Sequence, residues 1–582
     1  MMMPKRDGFS FKRPTQLCLA LCSLLLVALA LPGWSLEARQ SAIGYHPNSP
    51  KRLVLEGIPA DQRSRLKSLV IDPNEARYGI ALLPGKPVLT PTLIQAFDAT
   101  LPMGAAEIGP SLAGPSVENL VFDLSPLTKP GDYQLQLSGL SMPVQPLGVK
   151  ISEFLFWDSL RPTVRSFYLY RAREPEYRAA ESSYLQLPDC PTWTAPLNTD
   201  PLSLDLSVPV EQKAITGGWY NGPVCEKTVM QTAPAAAYLS AAYAWSPKPF
   251  EYFKLDYPNT EVRPVYVPDI LHEAAVGLEW LIRIQQANGA IRAGLAFEPE
   301  TNRPVVKPPT LLDTATGTAS LALAARVYKK PNIGFTVDTL LAAERGWEAI
   351  AREEIAAQSL REQAAWFWAA VELYLATGKP VYQQAILQQL ENADWPIELV
   401  LKEPGSGLGI YNLLLYAPGE FQALEPMKQL RRRVVKLAQM ELATVRQDPY
   451  GSGMYPQTIQ TLEDLLDRGL LLVYAYRLTG QAPYRDAAAH TVYYLQGLNH
   501  SGAKFITPTV EPLAADAPIS TRVRWKKQPV PGIILEPAQA TASIDGLSAL
   551  NSPPNLVRNG KLAFLLAALN AAYNTDLGMK KK

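Results

Sequence analysis

Pro268-Asp269-Ile270-Leu271-His272-Glu273-Ala274-Ala275-Val276-Gly277-Leu278-Glu279-Trp280-Leu281 is the stretch on which the fold class turns. Ile270, Leu271, Ala274, Leu278 and Leu281 recur at three- and four-residue intervals, the period of one helix face. The spacing predicts a helix near 268–287, with Asp269 and Glu273 as carboxylates of its N-terminal turns, favourable to the helix dipole. The same grain predicts helices near 153–173, 228–245, 311–329, 338–354, 359–377, 380–392, 424–446, 460–479, 483–498 and 557–573, with more hidden between 394 and 416. About twelve helices result, and no motif repeats at a solenoid period. A double ring of helix hairpins around a bowl fits better, with the long loops 175–227 and 500–556 at one mouth.

Upstream the grain is different. Residues 42–150 carry short alternating runs between Pro and Gly, such as 51–55, 68–71, 119–122 and 131–137, which predict a small β-sandwich. Lys5, Arg6, Lys12 and Arg13 precede the apolar run Leu17–Leu31, the order of a secretory signal peptide over residues 1–38. Cleavage after Ser35 or Ala38 and retention as an uncleaved anchor both stay open; the run is short for a stable membrane span. The expected location is exported: secreted, periplasmic or cell envelope. The three terminal lysines, Lys580-Lys581-Lys582, read as a solvated end.

Composition narrows the function. The 582 residues hold 55 Lys+Arg against 54 Asp+Glu, a net charge of +1 with no basic block, which argues against nucleic acid as partner. The four histidines are not paired at metal-ligand spacing, and no CxxC, HExxH or EF-hand loop occurs, so no metal or cofactor is expected. Beyond the leader only Cys190 and Cys225 remain, a disulfide or two free thiols.

Several segments together carry a family resemblance. Gly44-Tyr45-His46-Pro47-Asn48-Ser49-Pro50-Lys51-Arg52 resembles the opening of the immunoglobulin-like domain that precedes family-9 glycoside hydrolases. Ile215-Thr216-Gly217-Gly218-Trp219-Tyr220 resembles the strongest motif of that family's catalytic domain. The 268–281 stretch is similar to its third helix, and Tyr493-Tyr494-Leu495-Gln496-Gly497-Leu498-Asn499, Pro529-Val530-Pro531-Gly532 and Asn559-Gly560 follow in family order. The resemblance implies a mainly α chain: an (α/α)6 barrel over 151–577 behind an immunoglobulin-like sandwich over 42–150. It leaves a loop calcium, as in some relatives, undecided.

Family-9 enzymes hydrolyse β-1,4-glucans with inversion, for which one carboxylic acid protonates the leaving oxygen and a second carboxylate activates water. After Gly-Gly-Trp-Tyr the family has Asp-Ala-Gly-Asp; here the positions read Asn221-Gly222-Pro223-Val224. The resemblance places the general acid at Pro553. Of the family's His-His-Arg loop only Arg522 remains, and Pro191 replaces the histidine expected after Cys190. An amide holds water without taking its proton, and valine and proline have no proton to exchange.

For Trp219 and Tyr220 two readings stand side by side: an aromatic platform under a sugar ring, or a tight turn whose ring packs between helices. Arg522 reads either as a sugar or anion contact or as a solvated loop residue. Glu226, Glu211 and Asp545 are the carboxylates that could replace the lost ones; each reads equally as a helix-start partner. Three functions follow: a degenerate, exported protein that binds β-glucan or oligosaccharide; an active inverting hydrolase with relocated carboxylates; or a structural envelope protein with a plugged cleft.

Overall fold

The computed structural model describes residues 37–56, 68–72, 93–97, 119–138, 147–172, 216–221, 226–255, 257, 266–298, 300, 304–352, 355, 358–454, 461–507, 532–535 and 555–574. Among the described residues seven strands come first: β1 (Glu37–Arg39), β2 (Arg52–Glu56), β3 (Ser68–Asp72), β4 (Leu93–Phe97), β5 (Asn119–Asp123), β6 (Gly131–Ser138) and β7 (Leu147–Ile151). They form two antiparallel sheets, ordered β1-β2-β5-β4 and β3-β6-β7. Leu53, Val54 and Leu55 are all buried, so both faces of β2 are covered. β1 pairs Glu37 with Glu56 and Arg39 with Val54, so residues 37 and 38, expected above at the end of the leader, lie in the sheet. A three-residue edge strand is too short to show alternation in sequence.

Twelve long helices follow among the described residues: α1 (Leu155–Leu169), α2 (Val229–Trp245), α3 (Asp269–Arg283), α4 (Leu311–Val327), α5 (Ile333–Ile350), α6 (Leu360–Thr377), α7 (Pro380–Leu390), α8 (Ser406–Tyr416), α9 (Glu425–Gln447), α10 (Leu462–Thr479), α11 (Ala482–Leu495) and α12 (Leu556–Asn574). Helix α12 packs on α2, α2 on α4, α4 on α6, α6 on α8, α8 on α10 and α10 on α12, closing an inner ring of six. The other six lie outside it. Composition explains the sorting. Helix α4, LLDTATGTASLALAARV, is buried almost throughout and lined by Ala, Gly, Ser and Thr, small enough for neighbours on every side. Helix α9 buries only Met427, Leu430, Val434, Ala438 and Val445, one stripe, and is an outer helix.

Aromatic side chains from four of the inner helices meet one another. Tyr411 stacks on Tyr474 at 3.9 Å, Tyr474 on Phe564 at 5.3 Å, and Trp245 stands edge-on to both at 5.0 and 5.4 Å. Connections from inner to outer helices are mostly tight: Gly378 and Gly480, in the left-handed conformation, end α6 and α10 a residue or two before α7 and α11. Connections from outer to inner helices span 170–228, 284–310 and 496–555 at their longest, and each leads into the N-terminal end of an inner helix. A hairpin not expected from the sequence, β9 (Arg292–Phe297) with β10 (Pro304–Pro309), lies in one of them, and the two-residue β8 (Lys227–Thr228) adds to β9.

The Gly44–Arg52 motif joins the two parts. Tyr45 meets Tyr493 of α11 edge-on at 4.8 Å, Ser49 Oγ lies 2.6 Å from the Tyr493 hydroxyl, and Arg52 Nη1 donates to Asp448 O at 2.7 Å. Gly44, at φ 89°, fits because a Cβ there would stand 2.1 Å from Lys150 O.

Candidate functional site

The site is built on a turn. Gly217 and Gly218 sit at φ 72° and 69°, and a Cβ on Gly218 would lie 2.9 Å from the Trp280 ring. Two backbone bonds, Tyr220 N–H to Tyr170 O and Ala172 N–H to Gly218 O, both 2.9 Å, hold the turn against the end of α1. Trp219 is driven inward, 0% exposed. Its ring occupies the space over Gly277, where a Cβ would come within 2.4 Å, and it meets Phe167 edge-on at 5.2 Å.

Glu273 is the centre of this arrangement. It is buried and accepts from Trp219 Nε1 at 2.9 Å, Arg171 Nε and Nη2 at 3.0 and 2.7 Å, and the Tyr257 hydroxyl at 2.8 Å. This corrects the reading of Glu273 as a dipole partner: its carboxylate is consumed by side chains from three other segments. Asp269 is also buried, and its Oδ2 accepts from Leu255 N–H at 2.8 Å. The platform reading of Trp219 and Tyr220 is likewise corrected. Tyr220 is 5% exposed, with the Lys227 ammonium 5.2 Å over its ring, and neither ring offers a face to a sugar.

Beyond the turn, Asn221 is half-buried and its amide is engaged at both ends. Nδ2 donates to Trp219 O at 3.4 Å and Oδ1 accepts from Thr228 Oγ1 at 3.2 Å. Asn221 N–H donates to Glu226 O at 2.9 Å, so of the replacement carboxylates Glu226 is brought back beside residue 221, its side chain half-buried. Val224, Glu211, Asp545, Arg522, Pro553, Cys190 and Cys225 lie outside the described residues.

The late motifs fasten the returning chain. Asn559 Oδ1 accepts from Ile534 N–H at 3.1 Å while its Nδ2 donates to Ser166 Oγ at 3.3 Å. Gly532, at φ 77°, passes where a Cβ would meet the Pro162 carbonyl carbon at 2.5 Å. Asn499 closes its own turn, donating to Tyr494 O and accepting from Ala503 N–H at 2.7 and 3.1 Å.

Sequence reasoning missed two ion pairs at the mouth end of the ring. Arg558 Nε donates to Glu463 Oε1 at 2.9 Å, and one turn deeper Lys561 Nζ lies 2.5 Å from Asp467 Oδ1. Burial pushes the Asp467 carboxyl up to about 6, although Lys561 pulls the other way. The signal was available: a single Asp inside the apolar run of an inner helix requires a partner. Among the described residues no group of three or more His, Cys, Asp or Glu could hold a metal ion, and no helix is long and apolar enough to cross a membrane.

A closed ring of six helices inside an outer six, with its long connections at one end, defines the class of six-hairpin glycosidase folds. The family is specific: the model for glycosyl hydrolase family 9 matches residues 165–525, more than half of the chain, and the chain belongs to that family. It is 24% identical over 442 residues to the xyloglucan-specific endo-β-1,4-glucanase of Bacteroides ovatus, covering 66% of this chain and 70% of that protein. Against the cellulose 1,4-β-cellobiosidase of Acetivibrio thermocellus it is 24% identical, covering 51% of this chain and 39% of the relative. Among solved structures, a metagenome-derived family 9 endoglucanase superposes with a TM-score of 0.68 at 24% identity, over 92% of this chain and 99% of the other. A thermostable endoglucanase of Alicyclobacillus acidocaldarius gives 0.65 at 18%, with the same coverage.

Proposed function

We propose that this chain is an exported β-glucan- or oligosaccharide-binding protein that uses the family 9 frame without its hydrolytic chemistry. The observation that carries the reading is the state of residue 221. The frame around it is kept, from the paired glycines through Trp219 to Glu273, while an amide stands where the resemblance puts a water-holding aspartate. That amide is bonded to Trp219 O and Thr228 Oγ1. Asparagine accepts and donates hydrogen bonds but takes no proton. On the same resemblance Val224 and Pro553 replace the base and the acid. Inverting hydrolysis needs both carboxyls, so their loss removes turnover and leaves binding, which depends on other side chains.

The relatives named above are glucanases, which supports a β-glucan as the ligand. Titrating the full chain with cello- and xyloglucan oligosaccharides, while assaying released reducing ends, tests it. Saturable binding without release is the expected result. Absence of binding to every glycan removes the proposal.

The bond between Asn221 and the Glu226 carbonyl favours one specific alternative, an active hydrolase using Glu226. It predicts release of reducing ends that Glu226→Gln abolishes.

A further inference from the structure

Helix α5 carries a face that neither the fold nor the glycan reading uses. Phe335, Ala342, Gly346 and Ile350 lie on its buried side, which packs on α4. On the opposite side Ile333, Val337 and Leu341 recur every fourth residue and are 63%, 50% and 56% exposed. Single apolar side chains are ordinary on a surface, but three in line along one helix make a patch. The helix itself does not ask for them, since Ile and Val are poorer helix formers than the straight-chain polar residues that a solvated face can use.

Charge of opposite sign stands at the two ends of this line, and it says what fits there. Lys329 and Lys330, both exposed, come just before Asn332, the cap of α5. Glu344 and Glu348 lie on the same face as Val337, toward the far end of the helix. Glu344 is half-buried and paired with Lys379, and Glu348 is exposed. In the last turn Glu348 opposes the helix dipole, so α5 gains no stability from it. A line that is positive at one end, apolar along its middle and negative at the other is complementary to itself turned end for end. Such self-complementarity is what a two-fold contact between identical chains requires.

We propose that the Ile333–Val337–Leu341 face of α5 pairs two copies of this chain, helix against antiparallel helix. With Val337 on the two-fold axis, Ile333 faces Leu341 across the pair and Lys330 comes opposite Glu344, with Lys329 and Glu348 beside them. Helix α5 has 18 residues, a length of about 27 Å. A contact one helix wide lies at the weak end of stable interfaces, so the dimer forms on the order of 10 µM chain.

Sedimentation velocity of the purified full chain up to about 100 µM tests this. It is run beside Val337→Arg, the double reversals Lys329→Glu with Lys330→Glu and Glu344→Lys with Glu348→Lys, and the two reversals combined. The natural chain is expected to pass from monomer to dimer as concentration rises. Val337→Arg stays monomeric, because two guanidinium groups meet on the axis without partners. Each reversal alone weakens the dimer roughly tenfold by setting like charges against each other, and the combination restores it. These side chains are exposed or half-buried, so thermal midpoints close to that of the natural chain show that the variants fold. A natural chain still monomeric at the highest concentration overturns the proposal. So does a dimer indifferent to Val337→Arg, or one that the combined reversal fails to restore, since either puts a different face in the contact. None of these outcomes bears on the glycan reading.

Discussion

Glu273 has no free lone pair to spare: four donors from Arg171, Trp219 and Tyr257 converge on it. Removing the carboxylate breaks the buried Arg171–Glu273 ion pair, a loss of about 3–5 kcal/mol for pairs of this kind. Glu273→Ala is therefore expected to lower the thermal midpoint sharply and to move the fluorescence of Trp219 toward that of a wetter indole. A midpoint within a degree or two of the natural chain would contradict the keystone role. This residue shows where sequence reading stops. The Gly-Gly-Trp motif and the carboxylate were both visible, but their contact joins segments 54 residues apart and depends on Gly277 clearing space for the ring. Periodicity assigns Glu273 to a helix and is silent on which neighbour reaches it.

At the scale of elements, the helices were legible because burial on one face or on all faces leaves a periodic trace. Expected and observed bounds of α2, α4, α6, α9 and α10 differ by two residues or fewer. Helix α5 starts at Ile333 rather than near 338, because Asn332 caps it by accepting from Phe335 N–H at 3.1 Å while its first turns leave Ile333 and Val337 exposed. The β9–β10 hairpin was missed: Gly294 and the prolines 304, 308 and 309 disguise the alternation of its strands. The seam between α10 and α12 carries a pH signature. Asp467, raised to about 6 when folded against an ordinary value near 4, binds its proton more tightly in the native state. Its stabilising share is present below about pH 4 and is lost as the pH rises through 6. Asp467→Asn should flatten that fall in chemical-denaturation free energies; an unchanged slope would show that the carboxyl titrates alike in both states.

Over the whole molecule, the sandwich and the helical rings meet at a junction that runs the opposite way with pH. His46 packs against Tyr573, at 4.8 Å, and Phe156, at 5.9 Å, and burial drives its pKa down to about 4. The unfolded chain takes up this proton first, so the junction loses stability as the pH falls from about 6.5 to 4. His46→Gln is expected to reduce that loss, read as the change in unfolding midpoint between neutral and acid buffer, and an identical loss would place the acid sensitivity elsewhere. The Gly44–Arg52 motif was read as the opening of a domain, and the structure adds what it does, which is to dock on α11 and the Asp448 turn. Of the functional positions, residues 219–221 and 226 can be followed in the structure. Their chemistry was legible as residue type, and the packed reading of Trp219 was one of the two the sequence offered; contacts with α3 and Lys227 decide between them.

The most direct test of the central claim is reducing-end release from xyloglucan and cellulosic β-glucans by the natural chain, run beside the combined variant Asn221→Asp, Val224→Asp, Pro553→Glu. The account predicts no release above buffer from the natural chain, and measurable release once base, water-holding and acid carboxyls are returned to the frame. Sustained release by the natural chain, abolished by Glu226→Gln, would contradict it.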